Sequence, residues 1–480
     1  MNLRNQVLDA VKWSVAGRLA SQLVTWAITI YVIRLLSPSD YGLMALAGIF
    51  ATIFSMVAEI GLGAALVRSQ DLSPFRIRQI FGIVILSSLV ACLVLATLVA
   101  YLAGEFFNDP RLVGVIQLLS LQFLPSIFIV IPSALLNRNM MFRGRAIIDL
   151  TSTIAGALLT LFLAYTDHGV YSLVWGSIMQ IVIRAVGLNI AQPFCGWPIF
   201  KFSGCGGMFK FGGNVTGSQL VWMLYSQADI FFIGRFLGNN VLGIYSVAMD
   251  LASLPAARLS AILNQIVYPA LARVQREGES VGPYLLKGIR VVSLISIPIM
   301  WGMSSISNEL IDILLGVKWQ DSKLPFTILC VIMPFRVQSP LMHAGLHAVG
   351  RAFESFQITC ITAFLMTCSF IVGVQFGLLG ISIAWGVVFP TVFLIFFYRA
   401  CNKMGFPGID LIISLIRPIL AGFLMFAAVC WTRYLLPQNL NSVMSMILLI
   451  FIGAFVYISI TFMINRQGVN ELRSIVSSRS

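Results

Sequence analysis

Charged residues are scarce in this sequence. Asp, Glu, Lys and Arg make up 10% of the 480 residues, whereas a typical soluble domain carries about 25%. So few charges cannot cover the several soluble domains that this length would otherwise fill. Hydrophobic residues reach 59%, and the mean hydropathy is +0.93. The composition therefore predicts an integral membrane protein without a soluble catalytic domain.

Motifs for metal binding, disulfides and catalysis are also missing. The eight cysteines include no C-x-x-C pair, which argues against a metal site and a disulfide framework. His343 and His347 have i, i+4 spacing but lack the glutamate of H-E-x-x-H, so packing is favoured over a metal. No Gly-rich phosphate loop and no Ser/His/Asp set is found. We expect no catalytic residue, no metal and no cofactor.

The net charge of +13 does not indicate a nucleic-acid partner. The cations fall singly or in twos and threes between apolar runs, and they form no basic face interleaved with aromatic residues. They instead mark the ends of hydrophobic segments. Nucleic-acid binding is therefore not expected.

What the sequence does contain is a series of long apolar segments separated by turn residues. A hydrocarbon core about 30 Å thick needs about 20 apolar residues in a helix. Fourteen segments reach that length, which predicts an all-α membrane protein with about 14 transmembrane helices. Their approximate bounds are 13–36, 41–66, 79–103, 112–136, 146–166, 170–193, 210–237, 241–269, 285–306, 324–349, 355–375, 377–398, 411–435 and 442–464.

The distribution of Lys and Arg predicts the orientation. With a cytoplasmic N-terminus, 21 of the 31 cations fall in inner segments, six in outer segments and four at membrane depth. Cytoplasmic loops carry the excess of Lys and Arg in membrane proteins. An even number of helices then places both termini in the cytoplasm.

An internal repeat suggests two related bundles. RLLSPSDYGLMALA (34–47) aligns without gaps to RFLGNNVLGIYSVA (235–248), with Gly42 matched to Gly243. The two hairpins share one membrane orientation and are six helices apart, so the repeat is parallel. We predict a six-helix bundle over 1–205, a second over 206–400, and two further helices with a cytoplasmic tail over 401–480.

Seven charged residues lie well inside predicted helices. At about 3 kcal/mol each on the insertion scale, they would cost about 20 kcal/mol facing lipid, so they must pair or line water. Salt bridges that only join helices are the plain alternative to a functional role, and Arg184 also lies near enough to the inner end to snorkel. The seven are Arg18, Glu59, Arg184, Asp229, Asp250, Arg258 and Arg336.

The repeat hairpin resembles that of the polysaccharide-transporter branch of the multidrug/oligosaccharidyl-lipid/polysaccharide exporter superfamily. Within it the chain is similar to Wzx-type flippases, closest to the colanic-acid-exporter (WzxC-like) group. The resemblance also uses KWS (12–14), AEIGLG (58–63), VYPALAR (267–273) and LGVKW (315–319). It implies two bundles around a cavity that opens alternately to each side, and the carriage of undecaprenyl-diphosphate-linked oligosaccharide across the bacterial inner membrane. The cargo would serve exopolysaccharide, capsule or O-antigen synthesis.

The resemblance assigns roles to the buried charges. Because a guanidinium suits phosphate oxygens, the expected substrate-binding residues are Arg18, Arg258 and Arg336. Carboxylates at membrane depth can take up and release H⁺ or Na⁺, so the expected ion-coupling residues are Asp229, Asp250 and Glu59. Lipid-linked oligosaccharide and membrane lipid are the expected partners, with polymerase and co-polymerase proteins as further candidates.

Two other functions are considered. A drug or small-cation antiporter of the same superfamily is disfavoured because the candidate cavity residues are rich in arginine. A membrane-embedded polysaccharide polymerase or glycosyltransferase is disfavoured because the longest outer segment, 307–323, is too short for a catalytic domain.

Overall fold

The computed structural model describes most of the chain as helix. The described residues are 24–59, 73–139, 142–194, 196–201, 216, 217, 220, 221, 223–277, 279–437 and 440–477, and none of these lies in a β-strand. The helices are α1 (Val24–Leu35), α2 (Pro38–Glu59), α3 (Pro74–Phe107), α4 (Pro110–Ser126), α5 (Val130–Arg138), α6 (Phe142–Tyr165), α7 (Val170–Ala191), α8 (Ala228–Phe236), α9 (Asn239–Arg276), α10 (Val281–Ser305), α11 (Ser307–Leu314), α12 (Lys323–Ala348), α13 (Ala352–Gly373), α14 (377–401), α15 (Gly408–Leu435), α16 (Ser442–Ile464) and α17 (Arg466–Ser477).

The all-α membrane fold is confirmed. Within the described residues, nine helical stretches are long and apolar enough to cross a membrane, or ten if α4 and α5, bent by 48°, form one span. The first, second and seventh predicted segments lie partly outside the described residues, so the number fourteen stays a prediction.

One of the nine stretches contains two predicted helices. Ala352–Met404 has 53 residues, which would extend about 80 Å as a straight helix, far beyond a hydrocarbon core of about 30 Å. The chain breaks at Gly377, whose φ of +69° favours glycine. α13 then packs against α14. This break lies next to Phe376, where the sequence predicts the boundary.

The chain divides into two compact units, Met1–Gly243 and Ile244–Ser480. In the first unit, α6 and α7 pack along each other through small residues. A Cβ on Gly156 would lie 2.7 Å from the carbonyl oxygen of Gly176, so only glycine permits this approach. The predicted domain limits, 1–205, 206–400 and 401–480, stay a prediction.

The repeat hairpins meet within the first unit. A Cβ on Gly42 would lie 1.9 Å from the carbonyl oxygen of Asn239, and one on Gly243 would lie 1.7 Å from that of Pro38. Gly42 and Gly243 occupy equivalent repeat positions, and so do Pro38 and Asn239. The contact is therefore reciprocal. Each glycine lies against the backbone carbonyl of the residue that stands four positions before the other glycine.

Hydrogen bonds between polar side chains also connect the segments near this glycine contact. The Asn239 amide donates to Asp109 Oδ2 at 2.7 Å, and the Arg111 guanidinium donates to both Asp109 oxygens and to Ser39 Oγ. Asp109 also caps α4 by accepting from the backbone N–H of Arg111. The start of α9 is thus tied to the turn between α3 and α4.

In the second unit, α10 packs against α12 and α15, and α15 packs against α16. Ile297, Ala421, Met425 and Tyr457 form a buried cluster between them. At the C-terminal end of α15, Arg433 donates two hydrogen bonds of 2.7 Å to Glu309 of α11. The two helices beyond the predicted repeat therefore belong to the core of this unit.

Candidate functional site

The clearest cationic site in the second unit is built around Arg336. This residue lies in the middle of α12 and is half-buried. Its Cζ lies 4.6 Å from the centre of the Trp385 ring, and its Nη1 donates to Met249 Sδ at 3.3 Å. Three helices, α9, α12 and α14, therefore position one guanidinium at membrane depth.

Trp385 is held rigidly under that guanidinium. The ring is fully buried and lies 5.5 Å from both Phe370 and Phe389. It belongs to a π-helical turn, Ala384–Val388, which precedes Pro390. A proline cannot donate to the carbonyl four residues earlier and crowds it, and a π-turn is a usual local adjustment.

Arg336 forms no ion pair with any carboxylate that the structure describes. An arginine at this depth costs about 3 kcal/mol on the insertion scale, and a cation–π contact offsets about 0.5–2 kcal/mol of that. The remaining cost is relieved by water or by an anion. The planar donor fork matches phosphate oxygens, so the geometry suits a phosphate-bearing ligand.

The other two predicted residues of this unit lie on α9. Asp250 and Arg258 are both exposed and eight residues apart. The Asp250 carboxylate forms no ion pair or side-chain hydrogen bond in the described part of the chain, so it does not pair with Arg258. A free carboxylate and two arginines thus occur on adjoining elements of the second unit.

In the first unit, the intramembrane charges are mostly paired. Arg184 Nε lies 2.9 Å from Asp149 Oδ1, and Arg145 Nε lies 3.6 Å from Asp149 Oδ2. Glu59, the last residue of α2, is exposed and lies within the electrostatic reach of Arg184. This cluster is close to neutral, and ion pairing accounts for Arg184.

The remaining predicted site residues have different surroundings. Asp229 is buried in the first turn of α8 and accepts from the backbone N–H of Ile230 at 2.8 Å, where a carboxylate is favoured by the helix dipole. Arg18 lies outside the described residues. The His343 and His347 rings share the Ser355 hydroxyl, at 2.8 and 3.3 Å.

Three residues of these sites escaped the sequence reasoning. Met249 and Trp385 are apolar, so nothing in a charge search selects them, although a Trp deep in a predicted span is unusual because Trp favours the membrane interfaces. Asp149 was overlooked because it lies near the inner end of its segment. Its position four residues after Arg145 was the available signal.

Comparisons with known proteins agree with this architecture. Residues 31–324, which include both repeat hairpins, match a family described as polysaccharide biosynthesis protein. The chain is 23% identical over 400 residues to the lipopolysaccharide biosynthesis protein WzxC of Escherichia coli (strain K12), covering 81% of this chain and 79% of that protein. It is 23% identical over 477 residues to the succinoglycan biosynthesis transport protein ExoT of Rhizobium meliloti (strain 1021), covering 98% and 95%.

Among solved structures, the fold is similar to the lipid II flippase MurJ in an inward closed conformation. The TM-score is 0.76 at 14% identity, over 94% of this chain and 99% of that one. This likeness concerns the fold alone. The resemblance drawn from the repeat hairpin is nevertheless confirmed by the family match, which covers more than half of the sequence: the chain belongs to the polysaccharide biosynthesis protein family of the multidrug/oligosaccharidyl-lipid/polysaccharide exporter superfamily.

Proposed function

We propose that this protein is a flippase that carries undecaprenyl-diphosphate-linked oligosaccharide from the cytoplasmic to the periplasmic leaflet of the bacterial inner membrane. It acts by alternating access, as a carrier and not as an enzyme. The two relatives named above take part in lipopolysaccharide and succinoglycan synthesis, and MurJ is a lipid II flippase. Exopolysaccharide, capsule or O-antigen synthesis is the process that the cargo would serve.

The proposal rests mainly on the surroundings of the Arg336 side chain. Its guanidinium, which is permanently charged, lies in the middle of a span and contacts the face of Trp385 and the sulfur of Met249. It forms no ion pair with a described carboxylate. A carrier of small cations would place a carboxylate there. A carrier of a lipid diphosphate needs an anion contact that is strong in one step and released in the next.

Arg258 and Arg18 complete the proposed diphosphate contacts. Arg258 is exposed on the helix that carries Met249. Arg18, which lies outside the described residues, falls in the segment that the sequence repeat predicts to be equivalent. We assign H⁺ or Na⁺ coupling to Asp250, Glu59 and Asp229, with Asp250 first because its carboxylate is both exposed and unpaired in the described chain. Both termini are cytoplasmic in this proposal, and polymerase and co-polymerase proteins receive the cargo.

The test is deletion of the gene followed by leaflet-resolved analysis of lipid-linked intermediates. We expect completed oligosaccharide-lipid to accumulate in the cytoplasmic leaflet and to clear when the wild-type gene is restored. Restoring the Arg336→Gln variant, at equal protein abundance, should not clear it. Accumulation of single repeat units in the periplasmic leaflet would instead identify a polymerase, and unchanged intermediates would contradict any role in this transport.

A further inference from the structure

A small polar pocket lies away from Arg336, where α10, α15, α16 and α17 meet in the second unit. Its volume is about 230 Å³. By the predicted topology it faces the cytoplasmic leaflet, because α15 starts and α16 ends there. Its polar lining consists of Arg290, Asp410, Ser414, Arg417, Asn465 and Gln467.

Three of these groups have unmet interactions. Asn465 is 2% exposed, and its Nδ2 has no hydrogen-bond partner, although its Oδ1 accepts from the backbone N–H of Gly468. Arg417 and Asp410 are half-buried, and neither side chain has an ion-pair or hydrogen-bond partner within the described residues. A buried amide N–H without a partner is uncommon in folded proteins, so this pocket is built for a ligand.

The third charged group of the lining, Arg290, is already neutralised. Arg290 donates from Nε and Nη2 to the two carboxylate oxygens of Glu471 in α17, at 2.9 and 2.5 Å. The pocket is therefore left with one free cation, Arg417, and one free anion, Asp410. Its charge complements a zwitterion.

An apolar groove of about 660 Å³ continues from the pocket between α10, α15 and α16. Leu294 and Thr461 line the groove one helical turn beyond Arg290 and Asn465 of the pocket. The groove follows α10 as far as Ile306, a rise of about 18 Å from Leu294 at 1.5 Å per residue. Half of the hydrocarbon core is about 15 Å thick, so the groove has the length of an acyl chain of one leaflet.

We propose that the groove and pocket together bind one phospholipid whose headgroup carries a primary ammonium, of the phosphatidylethanolamine class. An acyl chain fills the groove. The phosphate accepts from the Arg417 guanidinium and the Asn465 amide, and the ammonium donates to Asp410. This lipid is a resident component that holds α15, α16 and α17 against α10, and it is distinct from the transported cargo.

Charge decides between this ligand and a lipid diphosphate. A diphosphate carries at least two negative charges and no cation, so it would face Asp410 with no compensating group. An anionic headgroup such as phosphatidylglycerol would fill the phosphate position and leave Asp410 unpaired. Only a zwitterion with a donor ammonium satisfies Asn465, Arg417 and Asp410 at once.

The experiment uses the full chain reconstituted in vesicles of equal phosphatidylethanolamine and phosphatidylglycerol. The protein is extracted in mild detergent, and the retained lipid is counted by native mass spectrometry. We expect one phosphatidylethanolamine per wild-type chain. Arg417→Gln should reduce retention about tenfold to a hundredfold, the effect of removing a charge-assisted hydrogen bond.

Two further variants make the test specific. Asp410→Asn should keep a phospholipid but lose the preference for phosphatidylethanolamine over phosphatidylglycerol. Arg399→Gln, an exposed arginine at the end of α14, should behave as wild type. If Arg417→Gln does not fold, Arg417→Lys replaces it, with weaker but measurable retention expected.

Several outcomes would overturn the proposal. The first is that Arg417→Gln retains as much phospholipid as the wild type. The second is that the wild type prefers phosphatidylglycerol to phosphatidylethanolamine, and the third is that Asp410→Asn still prefers phosphatidylethanolamine. The fourth is that added polyprenyl diphosphate displaces the phospholipid. The readout is lipid retention without transport, so a failed flippase assay does not affect it.

Discussion

Arg336 differs from three span arginines that bind carboxylates within their own unit. Arg184 pairs with Asp149, Arg290 with Glu471 and Arg433 with Glu309, so each of these charges has a local counterion. Arg336 has an aromatic face and a thioether in place of a carboxylate. A structural ion pair therefore does not explain why this charge is kept at membrane depth, whereas an anionic ligand does.

The first prediction concerns substitution of Arg336. Arg336→Gln removes the cation, and Arg336→Lys keeps the charge but loses the planar fork. We expect polymer export to fall about tenfold to a hundredfold in the Gln variant, since a charge-assisted hydrogen bond contributes about 1.5–3 kcal/mol, and to fall less in the Lys variant. Export is measured alongside membrane-inserted protein, with Arg399→Gln as the matched control. Export at the wild-type level in Arg336→Gln would refute the assignment.

The second prediction uses the pH dependence of Asp109. Its pKa is held below the ordinary 3.8, first by the side-chain hydrogen bond from Arg111 and further by the Arg111 backbone N–H and the Asn239 amide. A lowered pKa in the folded state means that the stabilisation is fully present above pH 3.8 and is lost as the pH falls below it. Melting temperatures of the wild type and Asp109→Asn should therefore differ by a constant amount at neutral pH and converge in acid. Parallel curves down to pH 3 would contradict this role.

Sequence reasoning could identify buried charges but not their partners. Arg336 and Asp250 were selected because an isolated charge in an apolar run is costly, which is a local property. The contacts of Arg336 come from residues 87 positions before it, Met249, and 49 after it, Trp385. Only tertiary packing decides such contacts, and hence which arginine is neutralised and which stays available.

At the scale of helices, the two copies of the repeat hairpin touch through equivalent glycines. The alignment of Gly42 with Gly243 was visible in the sequence, but their mutual approach was not. The structure gives the reason for the match, because any side chain at either position would overlap a backbone carbonyl of the other hairpin. The residues that match between the two copies are thus also the residues through which the copies pack.

The third prediction tests this contact. Gly42→Ala and Gly243→Ala place a Cβ within 2 Å of a backbone oxygen, so the hairpins must separate, at a cost of about 1–3 kcal/mol for overpacking. We expect a melting temperature lower by several degrees and impaired export. Gly48→Ala is the control on α2, since no atom lies within 4 Å of its added Cβ. An equal effect of all three substitutions would show that helix propensity, not the contact, is responsible.

Helix boundaries were predictable where glycine, proline and polar residues interrupt apolar runs. The chain turns between α1 and α2, between α3 and α4, and beside Phe376, each time in a gap between two predicted segments. The π-turns Leu95–Val99 and Ala384–Val388 were not foreseen. In the first, Gln117 of α4 donates to the carbonyl of Ala96. A hydrogen bond of this kind depends on a residue of a neighbouring helix, so the sequence around the π-turn does not predict it.

At the scale of the whole molecule, composition was enough to predict an integral membrane protein, and the lengths of the apolar segments were enough to predict that it is all-α. The repeat motif was enough to identify the family, whose match spans both copies. The cargo could not be read from the residues, because a phosphate-binding arginine serves any lipid diphosphate equally well. The sugar is selected by contacts that neither spacing nor charge encodes.

The fourth prediction concerns orientation. The excess of Lys and Arg predicts cytoplasmic termini. Reporter fusions after Asn108 and after Gly144 should therefore report the periplasm and the cytoplasm respectively. If both fusions report the same side, the predicted topology and the leaflet given to the phospholipid pocket are both wrong.

The central claim is that the chain moves a lipid-linked oligosaccharide between leaflets by means of Arg336. The most direct measurement reconstitutes the purified protein in vesicles with a fluorescent undecaprenyl-diphosphate oligosaccharide and follows its exposure to an external hydrolase over time. We predict faster translocation with the wild type and with Arg399→Gln, and translocation near that of protein-free vesicles with Arg336→Gln. Equal translocation by wild type and Arg336→Gln, or none above protein-free vesicles under an imposed H⁺ or Na⁺ gradient, would contradict the account.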